Sequence, residues 1–125
     1  MATAEIAVAL PALVLVTAAA LWGLMAVSVQ LTCTDAARTG ARAAARGESL
    51  TAVRELVVRA VPKGATVRVH RDGATVHVDV SAPVRPPAAI GLPPLMVEAH
   101  VAAPAEPGVG PDSASAPAGQ DRWPP

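Results

Sequence analysis

The stretch AEIAVALPALVLVTAAALWGLMAVSVQL, residues 4–31, decides the architecture. Glu5 stands at its head, and no further charged residue occurs until Asp35. At ~1.5 Å rise per residue, about 20 apolar residues make a helix that crosses the hydrocarbon core of a bilayer. Apolar residues occupy every side of this run, as suits a helix surrounded by lipid or by other helices. A lone carboxylate there costs at least ~2.5 kcal/mol on insertion scales, so Glu5 must sit at the interface or meet a partner. Pro11 removes one backbone donor and is expected to kink or loosen the first turns, which neighbouring membrane helices tolerate. Ala19 and Gly23 form a small-xxx-small pair that lets another helix approach closely, although simple alanine richness yields the same pair.

Outward from this run the helix is expected to continue. Residues 34–46 are rich in strong helix formers, and Arg38, Arg42 and Arg46 recur every four residues as one basic stripe. That stripe faces either solvent and lipid headgroups or acidic partner residues. Ala37, Ala41, Ala44 and Ala45 leave the rest of the surface smooth enough for tight packing. Gly47 breaks the helix, and Ser49 is a suitable N-cap for a second one running to about Val61. Leu50, Val53, Val57 and Val61 share one face of that second helix, and Pro62 and Gly64 end it.

Residues 65–80 carry the strand signal. Val67 and Val69 alternate with Arg68 and His70; Val76, Val78 and Val80 alternate with His77 and Asp79. A two-residue turn at Asp72-Gly73 predicts a hairpin pairing Val69 with Val76 and Val67 with Val78, with Arg68 opposite His77 and Thr66 opposite Asp79. After a proline-rich connection over 83–94, residues 96–102 alternate again and give a third strand. Three strands with a valine face are enough to cover the amphipathic helix. The expected fold is therefore α+β: a transmembrane helix (residues 1–33), then a helical stalk with a short amphipathic helix and a three-stranded antiparallel sheet (34–103). Residues 104–125, rich in Pro, Ala, Gly and Ser, read as a disordered tail in which Trp123 is a surface or docking residue.

Composition narrows the function. Ten basic residues balance ten acidic ones over 125 residues, and the only aromatics are Trp22 and Trp123, so neither charge nor stacking favours nucleic acid. Cys33 is the single cysteine, which forbids an intrachain disulfide; it reads as a small residue near the end of the membrane helix, the alternatives being an intermolecular disulfide or a lipid attachment. His70 and His77 share a face of the hairpin and His100 lies on the third strand, but no Cys or carboxylate cluster completes a metal site. No nucleophile elbow, phosphate-cradling glycine loop or spaced carboxylate pair is present. Neither an enzyme nor a cofactor is expected.

The order of parts resembles the TadE family of pilin-like proteins, the minor pilins or pseudopilins of tight-adherence (Flp-type) pili, in their actinobacterial form. The resemblance rests on Ala2-Thr3-Ala4-Glu5 running directly into Ile6-Ala7-Val8-Ala9-Leu10-Pro11, followed by Asp35-Ala36-Ala37-Arg38 and Ala43-Ala44-Ala45-Arg46-Gly47, and covers about residues 1–60. It implies a membrane-anchored structural subunit whose partners are membrane lipid, other pilin subunits and the pilus or secretion machinery. Thr3, Glu5 and Pro11 of that head, together with Ala19 and Gly23 of the small-residue pair, are the candidate assembly positions. Family members carry a short basic leader that a prepilin peptidase removes, typically after glycine, leaving glutamate as the fifth mature residue. Glu5 is fifth from Met1, so the expectation is either that Met1 begins the mature chain or that the protein is an unprocessed signal anchor. In pilin-like assemblies that glutamate is expected to meet the free α-amino group of a neighbouring subunit.

Orientation is read two ways. Arg38, Arg42 and Arg46 by themselves place the hairpin side in the cytoplasm under the positive-inside rule, whereas the leader implied by the resemblance places it outside, the reading favoured here. Two other function classes compete with the pilin. One is an unprocessed single-span accessory protein regulating a larger membrane complex; the other is a secreted module with a cleaved signal sequence, for which the apolar run is too long.

Overall fold

The computed structural model describes residues 2–87 and 91–105. A first helix, α1 (Ala2–Ala45), runs unbroken through Pro11 and past the apolar run. Its hydroxyl side chains turn inward on the helix itself: Thr17, Thr32 and Thr34 donate to the carbonyl oxygens of Leu13, Ser28 and Gln30 at 2.8, 2.9 and 2.8 Å. Each bond to the carbonyl four residues back satisfies a polar group that apolar surroundings would otherwise strand.

Glycine ends the helix as expected. Gly47 adopts φ 86°, its N–H donates to Ala44 O at 3.0 Å, and Glu48 N–H reaches back to Ala43 O at 3.3 Å, the paired bonds of a Schellman cap. The chain then enters α2 (Leu50–Ala60). Ser49 caps it, its hydroxyl oxygen accepting from Ala52 N–H at 3.2 Å. Val53 and Val57 are fully buried, while Leu50 and Val61 pack at the margin of the core, so the face read from the sequence is the one that packs.

Three antiparallel strands follow in a meander: β1 (Thr66–Asp72), β2 (Thr75–Val84) and β3 (Leu95–Pro104), in the order β1-β2-β3. The hairpin register differs from the expected one. Asp72 pairs with Thr75, so the turn residues are Gly73 and Ala74, not Asp72 and Gly73, and the partners become Val69 with Val78, Val67 with Val80, His70 with His77 and Arg68 with Asp79. Gly73 has φ 58° and Ala74 does not, the glycine-first pattern of a type II′ turn. The slide changes each pairing by two residues, which is one full side-chain period. The valines therefore stay on one face and the charged residues on the other.

The strands are also longer than the alternation suggests. β2 extends through Pro83, which lies inside the strand opposite Met96 and not in the connection. Residues 82–84 are tolerated there because β1 begins only at Thr66, opposite Ser81; beyond that rung β2 is an edge on its β1 side and a missing N–H leaves no partner unpaired. At the other end β3 includes Pro104, and Ala105 is buried with its N–H on Ala74 O at 2.8 Å, so the folded part ends slightly later than residue 103. Of the tail expected over 104–125, Pro104 and Ala105 belong to the folded part, and residues 106–125, Trp123 among them, lie outside the described residues.

One face of the sheet is covered by α2 against β1 and by the C-terminal part of α1 against β2 and β3. The core is small in its parts: Cys33, Ala36, Ala37, Ala43 and Ala44 from α1, Val53 and Val57 from α2, and valines and alanines from the sheet. Gly40 is what brings the layers together. A Cβ there would run into Val57 Cγ2 and lie 3.5 Å from both Val53 Cγ1 and Val78 Cγ1.

Candidate assembly surface

Glu5 sits in the first turns of α1, exposed, and among the described residues it takes part in no ion pair. Its position near the helix N-terminus suits a carboxylate, since the unpaired N–H groups there carry partial positive charge. The nearest basic side chain in the sequence, Arg38, lies 33 residues away, ~50 Å along the helix. No basic side chain of this helix reaches Glu5.

The structure sorts the sequence-predicted positions by helix phase. Gly23 lies 18 residues after Glu5, about five full turns, so the two share one face, and Ala19 stands within about 40° of it. All three are exposed, and the space around Gly23 is open for 4 Å. Thr3 and Pro11 are also exposed but fall on other sides of the helix, so they do not converge with Glu5. Ile6, Leu10, Leu13, Val16, Leu24 and Leu31 expose more than half of their surface around them. The described residues contain one helix long and apolar enough to cross a membrane, and it is this one.

Arg38, Arg42 and Arg46 stand exposed on the far side of α1 from the core. Arg42 Nη2 donates to Thr39 Oγ1 at 3.3 Å, and Arg46 Nη2 pairs with Glu48 Oε1 at 2.7 Å, so part of the stripe is engaged locally. Cys33 is not available for a disulfide or a lipid: it is a fully buried core residue between α1 and the sheet.

A second cluster occupies the outer face of the sheet, and the sequence reading missed its centre. His70 and His77 are cross-strand partners with ring centroids 4.9 Å apart and 11° between planes; His77 and His100 follow at 5.4 Å and 25°. Asp79 sits among them, hydrogen-bonded through Oδ1 to His100 Nδ1, with Oδ2 3.6 Å from His70 Nδ1. The correct hairpin register is the signal that would have found it. The rings stack face to face, and among the described residues no group of three or more His, Cys, Asp or Glu side chains is placed to hold a metal ion.

Comparison with known proteins agrees with this layout. A profile described as "TadE-like protein" matches residues 1–42, the whole apolar run and the start of its extension. A Mycobacterium tuberculosis protein named "Apoptosis inhibitor Rv3655c" is 42% identical over 104 residues, covering 83% of this chain and 78% of that protein. That match extends well beyond the helix into the folded part. No solved structure matches the chain. An anchor headed by Glu5, a small α+β domain on the same helix, and these two likenesses agree: the chain belongs to the TadE-like family of pilus-associated membrane proteins.

Proposed function

We propose that the protein is a minor pilin or pseudopilin, a non-enzymatic structural subunit anchored by α1 in the cell membrane and recruited into a tight-adherence-type pilus or related secretion assembly. The observation that carries this reading is Glu5: an exposed carboxylate ahead of an apolar span, on the same face as Ala19 and Gly23, with no basic group of its own helix within reach. A charge that is costly alone becomes tolerable when a second subunit brings the opposite charge and shields both. The partner group is the free α-amino terminus of a neighbouring subunit, which requires that a prepilin peptidase has exposed that terminus. The α+β domain then lies outside the cytoplasm, and the exposed Arg38, Arg42 and Arg46 are available to headgroups or to acidic partner residues.

Glu5→Gln tests it. Membrane insertion is expected to persist, since the amide is less costly in hydrocarbon than the carboxylate, while co-purification with partner pilins falls at least tenfold, the equivalent of ~1.4 kcal/mol. Undiminished co-purification would overturn the pairing. Mass spectrometry of the mature N-terminus separates a processed pilin from an unprocessed accessory anchor, and a reporter fused after Arg46 reads the orientation.

The name of the mycobacterial relative, an apoptosis inhibitor, supports a second reading, in which this protein too inhibits apoptosis and does so through its folded domain. That reading predicts activity for the domain when delivered to host cells, independent of Glu5, whereas the assembly reading predicts that Glu5→Gln abolishes function.

A further inference from the structure

The height of the domain above the membrane follows from two contacts. Gln30 Nε2 donates to the carbonyl oxygen of Glu98 at 3.1 Å, and Gly40 lies against Val78, the strand partner of Val101. Going from residue 40 to 30 on α1 thus corresponds to going from residue 101 to 98 on β3, toward Leu95. Three more strand residues at ~3.3 Å each lower the chain ~10 Å, which brings Leu95 level with about residues 20–23 on the helix. A span of about 20 residues that starts at Ile6 ends at Met25, just above that level. The lower end of the sheet thus reaches the edge of the hydrocarbon.

The surface changes character there. Higher up, the outer face of the sheet carries Arg68, Asp79, Glu98 and His100, but on the lower rungs Pro83 and Met96 take its place. Leu92, Leu95 and Met96 are 53%, 47% and 53% exposed, so apolar side chains stand open at this end of β3, beside buried Val84. Leu21, Leu24 and Met25 continue that exposure on α1, beside half-buried Trp22, whose indole nitrogen is shielded and unpartnered. Exposed Arg85 follows Val84 at the end of β2. Tryptophan, exposed leucines and methionine, and a nearby arginine together form the amphipathic edge that sits at a headgroup boundary.

We propose that this end of the sheet rests on the lipid bilayer, with Leu92, Leu95 and Met96 at the top of the acyl chains and Arg85 at the phosphates. The inference rests on α1 spanning the membrane and is independent of whether Glu5 pairs in a pilus. Lipid, not a second copy, is the occupant because the patch lies at the height of the exposed apolar residues of α1, Leu21, Leu24 and Met25, and at the predicted edge of its span. Seating the domain on the bilayer fixes its orientation before any partner subunit arrives.

The test uses the full chain at one copy per nanodisc, in mixed phosphatidylcholine and phosphatidylglycerol brominated near the top of the acyl chains. Trp123→Phe leaves Trp22 as the reporter of the anchor. In the Trp22→Phe/Trp123→Phe background, Leu95→Trp and, separately, Met96→Trp report the sheet end, and Arg59→Trp reports a water-facing site. Expected are blue-shifted, strongly quenched emission from Trp22 and from both sheet-end variants, and unquenched emission from Arg59→Trp. If Trp22 is quenched while Leu95→Trp and Met96→Trp emit as in water, the seating proposal is overturned and the anchor stands. If Trp22 is unquenched as well, the membrane reading and the proposal fall together. Having two sheet-end variants keeps the result decisive should one fail to fold, which circular dichroism shows.

Discussion

The two parts of α1 invert the usual relation between size and burial. Below Cys33 the helix carries its large side chains, among them Leu13, Val16, Leu21 and Leu24, and leaves them exposed; from Cys33 to Ala44 it buries Ala36, Ala37, Gly40, Ala41 and Ala43, which have almost no side chain. The backbone is continuous across the boundary. What changes is the partner. The lower part offers bulk to a solvent that is itself apolar, where close packing within the chain is unnecessary, while the upper part must let α2 and the sheet come close enough to share a core in water. One helix is thus built for two media, and its substitutions separate accordingly.

The sharpest separation lies between its two interior glycines. Gly40→Leu pushes a side chain into Val57 and against Val53 and Val78, so the domain is expected to lose ~2–3 kcal/mol after the gain in helix propensity is offset. Urea unfolding of the full chain in detergent, followed by circular dichroism, measures it, and adding Val57→Ala is expected to restore part of the loss. A Cβ at Gly23 meets nothing within 4 Å, so Gly23→Leu is expected to leave that transition unmoved. Equal losses at both positions would mean that the lower helix is also packed by its own domain. A loss of co-purification with partner pilins on Gly23→Leu, with stability unchanged, would tie the open face beside Glu5 to assembly.

Truncating a valine repeats the comparison at lower amplitude. Val78→Ala removes two methyl groups from a fully buried site on the central strand and is expected to cost ~2 kcal/mol, through lost transfer energy and the cavity left behind. Val16→Ala removes the same atoms from a residue 67% exposed and is expected to change domain unfolding by less than ~0.5 kcal/mol. The same denaturation series reads both.

These differences also show what the sequence makes legible. The anchor, the Ser49-capped helix and the existence of three strands follow from periodicity and punctuation, which are local, and each is found where expected. The hairpin register does not follow, because Asp72-Gly73 and Gly73-Ala74 both keep the valines on one face; only the backbone conformation at Gly73 distinguishes them. The extension of β2 through Pro83 depends on where β1 begins, a fact about the neighbouring strand and not about the proline. Gly40 was similarly invisible. In an alanine-rich helix a glycine reads as weak propensity until the valines opposite it are placed. Asp79 joined the histidines only when both strand pairings were in register.

Where the upper part of α1 ends, the cap provides a smaller test. Ser49→Ala removes the acceptor for Ala52 N–H at the exposed start of α2 and is expected to cost ~1 kcal/mol, with Ser49→Asp retaining most of it. No loss would indicate that packing of Val53 and Val57 alone defines the helix start.

The smallest effect is expected on the face that both parts of α1 turn away from the domain. In the lower part that face meets apolar surroundings; in the upper part it carries Arg38, Arg42 and Arg46, and the comparison holds only if those arginines are solvated and not structural. Arg46 is the strictest case, because it has an acidic partner: its guanidinium lies 2.7 Å from Glu48, with the two side chains 63% and 39% exposed. An ion pair that open to water is worth ~0.5 kcal/mol or less, and it is further screened by salt. The Schellman bonds that end the helix are made by the backbone of Gly47 and Glu48 and survive the loss of the side chain. Arg46→Ala is therefore expected to lower domain stability by less than ~0.5 kcal/mol at low salt and by less still at high salt, read by the same unfolding curves. A loss above ~1 kcal/mol that persists at high salt would show that the outward face contributes to holding the domain, and that the division of α1 into a lipid part and a core part is incomplete.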